Sequence, residues 1–309
     1  MSVFKPQRVR SDSNSTIGPV RNRMMPSAGT TALRKGFSAG GEGSREIAAY
    51  LLDKMQMSGV PNTTMISLAH PLLKGHQIGS MQAYAPHFCS AEDVSSSKFS
   101  VHQVHKIALL DVRMFNTDRH AGNMLVGFKT PKSFPTARDL TKNNTTLVPI
   151  DHGFCLPEFP ALGEATFEWM NWRQSHEPLH PDLLSYIRSI NMDRDIACLR
   201  QVLGKNMLST RVLLTLRVCT MWLQLAASNG LTFYQMGQFL CRPDLDGLSP
   251  LERIVKHLKI DELVIRNADR VLSTLEPVML KYIMHVREKA KLCQLRVHST
   301  TPVPQPISV

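Results

Sequence analysis

Apolar positions fall at helical spacing over residues 44–53, where Ile47, Tyr50 and Leu51 share a face and Glu46 lies near the start, so a helix is expected there. A second amphipathic stretch carries Val101, Val104, Ile107 and Ala108 behind Ser100, a good N-cap, and should end near Phe115. Short apolar or alternating runs at 2–6, 63–69, 77–84, 124–128 and 147–150 read as strands. Gly59-Val60-Pro61 marks a turn. Beyond Pro157 the pattern becomes helical. One helix is expected from Asp193 to a stop at Gly204, and another in the apolar run 212–227, which Arg217 interrupts. Ser249-Pro250-Leu251-Glu252 is a capping box with proline at the first helical position. Residues 261–293 read as helix with a kink at Pro277. Between these lie a Ser/Gly/Pro/Arg-rich loop expected to be mobile (7–43), a polar connector (87–98), a hydrophilic loop (129–144) and a proline-containing tail expected to be disordered (298–309).

Composition narrows the function classes. Of 309 residues, 43% are hydrophobic and 20% charged, a balance that can bury a core. The six cysteines are scattered without a CxxC pair, which argues against a zinc site and suits reduced thiols in a cytoplasmic protein. The first ten residues lack the apolar core of a signal segment, and no apolar run reaches the roughly 20 residues of a membrane span. Net charge is +11, and residues 1–45 hold eight Lys/Arg against two Asp/Glu. That excess favours an anionic partner, such as a phospholipid surface or a nucleotide. Nucleic acid fits less well, because aromatics are only 6% and do not interleave with the basic residues. Oligomeric state is left open.

Two short segments carry candidate chemistry. Asp118, His120 and Asn123 crowd a turn between a helix and a strand, and Asp151 ends an apolar strand two residues before Gly153. Phosphoryl transfer needs oxygen ligands for magnesium, a group that orients or deprotonates the attacking hydroxyl, and positive charge on the phosphates. A carboxylate with an amide oxygen suits magnesium, and Asp151 and Asn123 supply them. Asp118 or His120 can handle the hydroxyl proton. Thirty-three residues separate Asp118 from Asp151, room for strand, loop and strand, which sets both segments at one sheet edge.

Asn116-Thr117-Asp118-Arg119-His120-Ala121-Gly122-Asn123 resembles the catalytic loop of the phosphatidylinositol 3-/4-kinase superfamily, and Pro149-Ile150-Asp151-His152-Gly153 its magnesium loop. The chain is most similar to the plant-type gamma (type II-like) phosphatidylinositol 4-kinases. Val3-Phe4-Lys5-Pro6 resembles the strand whose lysine binds ATP phosphates, and the segment from Gly41 to Glu46 the entry to the helix whose glutamate pairs with it. The segment from Ile78 through Gln82, Ala83 and Tyr84 resembles the hinge that holds adenine through backbone groups. Phe167-Glu168-Trp169-x-x-Trp172, with Gln174 and Pro178, resembles a signature of the larger lobe.

The resemblance implies an α+β, two-lobed kinase-like fold. Residues 1–84 would form an incomplete, truncated small N-lobe with a short antiparallel sheet, 85–297 a larger and mainly helical C-lobe, and 298–309 a tail. It implies ATP and Mg²⁺ (or Mn²⁺) as cofactors, with Lys5, Glu46, Gln82, Ala83, Tyr84 and Ile150 at the nucleotide. Asn123 and Asp151 would hold metal. Asp118 and His120 would be catalytic, with Arg119 ordering their loop, and Cys155 would be a packing residue. Phosphatidylinositol would be the acceptor, reached at an anionic membrane by peripheral contact. A protein serine/threonine kinase and a non-catalytic pseudokinase are the alternatives. One departure stands out: the family's phosphate-covering loop precedes the lysine strand, whereas Lys5 is the fifth residue here. A piece of a longer kinase is therefore expected.

Overall fold

The computed structural model describes residues 1–6, 34–38, 40–69, 76–130, 135–204, 207–244, 246–260 and 267–299, with side chains described to residue 292. Most of the expected loop at 7–43, the start of the expected helix at 261 and the last ten residues of the expected tail lie outside the described residues.

One antiparallel sheet has the order β1-β3-β2, from β1 (Ser2–Pro6), β2 (Thr63–Ala69) and β3 (His76–Ala83). Its centre is close-packed: a Cβ at Gly79 would lie 2.3 Å from the Lys5 carbonyl oxygen, so only glycine lets β1 approach there. In this register Lys5 pairs with Ser80. Helix α1 (Glu42–Leu52) packs against the sheet.

A second antiparallel sheet, β4-β5-β6, contains β4 (Cys89–Ser90), β5 (Met124–Phe128) and β6 (Thr145–Pro149). Strand β6 begins two residues before the expected run and ends at Pro149, so Ile150 and Asp151 belong to the loop that follows. Helix α2 (Val101–Met114) starts at the expected Ser100, whose hydroxyl accepts from Gln103 N while the Gln103 side chain accepts from Ser100 N. It ends at Phe115, a fully buried residue at φ +45° that turns the chain toward Asp118.

The remaining helices are α3 (Pro181–Ser189), α4 (Met192–Leu203), α5 (Thr210–Ser228), α6 (Phe233–Leu240), α7 (Pro250–His257) and α8 (Ala268–Ser299). Asn191, not Asp193, caps α4, its side chain accepting from Arg194 N. Helix α8 begins only at Ala268, where Asn267 accepts from Arg270 N, and it stays helical through Pro277. Ser299, placed in the tail by the sequence, is its last residue.

Two apolar clusters form the core. The larger joins α2, α5, α6, α7 and α8, with Trp169, Trp222 and Phe239 fully buried. The smaller joins Ile47, Ala48 and Leu52 of α1 to Leu110 and Met114 of α2 and to residues of α4 and α5. Helix α1 thus touches the sheet on one side and the helical body on the other. No described helix is long and apolar enough to cross a membrane.

Candidate active site

The site is built on a buried polar hub. Asp111, fully buried near the end of α2, is surrounded by donors: Arg119 Nε reaches both its oxygens at 3.1 and 3.0 Å, Asn116 Nδ2 lies at 2.8 Å and Trp169 Nε1 at 3.0 Å. A buried carboxylate is tolerable only when satisfied in this way. The guanidinium then ties two loops together, donating from one nitrogen to the carbonyls of Asn123 and Ile150. Ile150 N donates back to the Asn123 carbonyl at 3.0 Å, and Thr117 donates through N and Oγ1 to the Phe154 carbonyl at 3.0 and 2.9 Å. Arg119 is wholly buried, so it holds the loop from beneath and does not reach into the cleft. Of Trp169, Trp172 and Gln174, read as a signature, Trp169 reaches this hub through its indole, and the other two pack beside Phe99. Gln174 Nε2 donates to the carbonyls of Ser96 and Phe99, and Trp172 lies against Phe99 at 5.2 Å.

On that base stand Asp118, His120 and Asn123. Asn123 Nδ2 donates to the Asp118 carbonyl at 2.8 Å, which leaves its Oδ1 free as an acceptor. His120 Nδ1 accepts from Gly122 N at 3.1 Å. Glu92 lies 3.7 Å from the same nitrogen, outside hydrogen-bond range, so the Gly122 contact fixes the tautomer with the proton on Nε2. Asp118 Oδ1 pairs with Arg34 at 2.9 Å. Arg34 also donates to the Thr117 carbonyl at 3.3 Å and lies 4.5 Å over the Phe154 ring.

Lys5 joins the sheet to these loops. Its ammonium lies 2.6 Å from Glu46 Oε1 and 3.0 Å from Asp151 Oδ1. Burial favours the neutral amine, but the two carboxylates outweigh it and hold the Lys5 pKa above its usual value. Burial would likewise raise the Glu46 carboxyl, yet the His152 ring and the Lys5 ammonium together hold it well below the usual carboxylate range. Asp151 sits at φ +57°, and its side chain is about half exposed (49%). Cys155 is fully buried, and burial keeps its thiol neutral, as suits a packing residue.

The residues fit a hard divalent cation. The Asn123 Oδ1 and the Asp151 carboxylate are oxygen donors of the type magnesium takes, the first buried and the second open to water. Among the described residues no cluster of three His, Cys, Asp or Glu offers a fuller cage.

The segment expected as the hinge is largely strand. Gln82 and Ala83 lie in β3, the central strand of its sheet, and the Gln82 side chain donates to Thr63 Oγ1 at 2.9 Å. Ala83 N donates to the Asn62 carbonyl and Tyr84 N to the Met1 carbonyl, so neither amide is spare. The extended stretch that follows, Ala85 to His87, joins the two sheets, and the sequence reading missed it as a separate element. Its only signal was Pro86 after the strand. Asp111 and Arg34 were missed too. The first was visible as an acid on an apolar helix stripe, whereas nothing local announces a partner 84 residues from Asp118.

A family model described as phosphatidylinositol 3- and 4-kinase matches residues 21–236, more than half of the chain. The chain is 36% identical over 279 residues to phosphatidylinositol 4-kinase gamma 2 of Arabidopsis thaliana, covering 83% of this chain and 47% of that protein. It is 35% identical over 257 residues to phosphatidylinositol 4-kinase gamma 4 of Oryza sativa subsp. japonica, covering 80% and 43%. Against phosphatidylinositol 4-kinase gamma 3 of Arabidopsis thaliana it is 34% identical over 304 residues, covering 90% and 49%. The chain spans about half the length of these relatives. By the family match and the lysine–glutamate–aspartate geometry above, this α+β chain belongs to the phosphatidylinositol 3- and 4-kinase family.

Proposed function

We propose that this chain transfers the γ-phosphoryl group of ATP to an inositol hydroxyl of phosphatidylinositol, as a phosphatidylinositol 4-kinase. The observation that carries the reading is the Lys5 ammonium, held between Glu46 at 2.6 Å and Asp151 at 3.0 Å beside the loop of Asp118 and Asn123. In a phosphoryl transfer the protein's task is positioning and electrostatics, and this arrangement suits both.

Lys5 binds the phosphates and Glu46 aims it. Asn123 and Asp151 hold the magnesium ion, which supplies charge neutralisation on the phosphate oxygens when bound. Asp118 orients the attacking hydroxyl and takes its proton, while the Nε2–H of His120 faces the transferring group as a donor. Adenine lies along Ala85 to His87, against the partly buried Ile150 side chain. The small sheet with α1 forms one lobe and the helical body the other. The enzyme works at the cytoplasmic face of a membrane by peripheral contact.

Incubation with ATP, magnesium and phosphatidylinositol in mixed micelles tests the reading. A phosphoinositide product that an Asp151→Asn variant fails to make is expected. Its absence from the wild-type chain extended upstream, with ATP intact, overturns the proposal.

A further inference from the structure

Asp118 is pinned at its main chain from both sides. Its amide donates to Asn116 Oδ1 at 3.0 Å, and its carbonyl accepts from Asn123 Nδ2 at 2.8 Å. Those bonds place the Cα and leave the carboxylate to turn about its side-chain torsions. Among the described residues the carboxylate meets one partner, Arg34 Nη2 at 2.9 Å from Oδ1. The second nitrogen of that fork, Nη1, donates to the Thr117 carbonyl at 3.3 Å, and the guanidinium carbon lies 4.5 Å from the centre of the Phe154 ring. A planar group bonded through two nitrogens and stacked on a ring has a defined direction, which a lysine ammonium lacks.

Arg34 is itself moored. Gly36, at φ +85°, lets segment 34–38 lie flat on the loop after Asp151, where a Cβ would come within 1.9 Å of the Ala161 carbonyl oxygen. Glu158 N donates to the Gly36 carbonyl at 2.7 Å, and Ser38 Oγ donates to Glu158 Oε1 at 2.7 Å. Phe37 is buried, edge-on to Phe154 at 5.5 Å, with the Arg45 guanidinium 4.9 Å from its ring centre. The neighbouring charges are engaged elsewhere. Arg242 pairs with Glu252 at 2.7 Å, the Lys35 charge bears on the same carboxylate, and Glu164, in the cleft beside Asp118, bears on Arg242.

We propose that Arg34 is a positioning residue for phosphoryl transfer: it sets the direction of the Asp118 carboxylate against the Asp151 loop, and touches neither nucleotide nor acceptor. This rests on the role given to Asp118 under the kinase reading and adds a residue to it. Arg119 ties the two loops through main-chain carbonyls from beneath. Arg34 ties them at the side chain, from the cleft.

Two measurements on the full chain test this. The first needs no turnover. In ¹⁵N spectra of arginine side chains, the Arg34 guanidinium, identified by its loss in Arg34→Lys, should rotate slowly in wild type and freely in Asp118→Ala. The second is transfer from ATP and magnesium to phosphatidylinositol in mixed micelles. Arg34→Ala should lower kcat roughly 10- to 100-fold, the scale of a misplaced catalytic group. The KM for ATP should stay within about twofold of wild type, since no nucleotide contact is lost. Arg34→Lys should recover little of the loss, because it restores the charge without the fork. In an Asp118→Asn background, read as residual radiolabelled transfer, adding Arg34→Ala should cost less than about twofold, because no base remains to be aimed. The side chain of Arg34 is 44% exposed, and urea titrations check that each variant folds. The proposal is overturned if Arg34→Ala keeps its kcat, if the KM for ATP rises in step with the loss, if Arg34→Lys is fully active, or if the loss persists beside Asp118→Asn. A wild-type chain that makes no phosphoinositide removes the kinase reading. The spectra still decide the contact, and an Arg34 signal unchanged by Asp118→Ala overturns the proposal by itself.

Discussion

Asp151 adopts φ +57° while its carboxylate faces Lys5 at 3.0 Å. Asparagine and aspartate enter this left-handed region more readily than other residues with a Cβ, because their short side chains bond locally. Asp151→Asn should therefore fold with a stability change below about 1 kcal/mol, the pair being half exposed. It should still lose roughly 10²–10³ in kcat, the scale of one electrostatic contact to a transition state. Single-turnover phosphate transfer beside a urea titration separates the two effects. Asp111 should show the opposite balance. Asp111→Ala leaves Arg119 buried without its carboxylate and should cost about 3–5 kcal/mol in urea unfolding. Glu46→Gln should weaken ATP binding without unfolding the chain, since the amide oxygen still accepts from Lys5.

At the scale of elements, α2 connects local sequence code to the site. Its capping box at Ser100 and Gln103 begins the helix that carries Asp111 and ends at Phe115. Ser100→Ala should cost about 1 kcal/mol and lower the thermal midpoint, leaving the Michaelis constant for ATP unchanged. This helix was legible in the sequence because cap, apolar period and stop all agree. So were β1, β5 and α7. That the loops of Asp118 and Asp151 lie together was legible, since their spacing leaves room for strand, loop and strand. What ties them together was not. Arg34 reaches Asp118 through tertiary folding that no spacing encodes. The segment expected as the hinge is the end of β3, and an alternating run does not reveal that the amides of Ala83 and its neighbour Tyr84 already donate to the Asn62 and Met1 carbonyls. Asn267 caps α8 through Arg270 N, a break inside the run 261–293 that the apolar period does not reveal.

For the whole molecule, the Lys5–Glu46 pair imposes a pH profile. Glu46 titrates lower when folded, so its contribution is complete above the ordinary carboxylate range near pH 4–5 and is lost as pH falls through the depressed folded value. Lys5 titrates higher when folded, so its contribution is complete below about pH 10 and fades as pH rises through the raised value. The difference in unfolding free energy between wild type and Glu46→Gln should shrink as pH falls below the ordinary carboxylate range. Urea titrations across that range check this, and a difference that grows in acid would contradict it. The net charge of +11 adds a salt-sensitive attraction to anionic surfaces.

Helix α1 has one further consequence. Ile47, Ala48 and Leu52 are buried against α2, α4 and α5, while Glu46 on the same helix holds the lysine of the sheet. The glutamate is therefore moored to the heavy half of the protein. If the nucleotide cleft gapes, the three-stranded sheet must swing about a stationary helix, stretching or breaking the Lys5 link as it goes. Amide exchange would register this as slow, nucleotide-independent hydrogens along α1 and faster, nucleotide-quenched ones along β2 and β3. A partner that closes this cleft has to push on the strands.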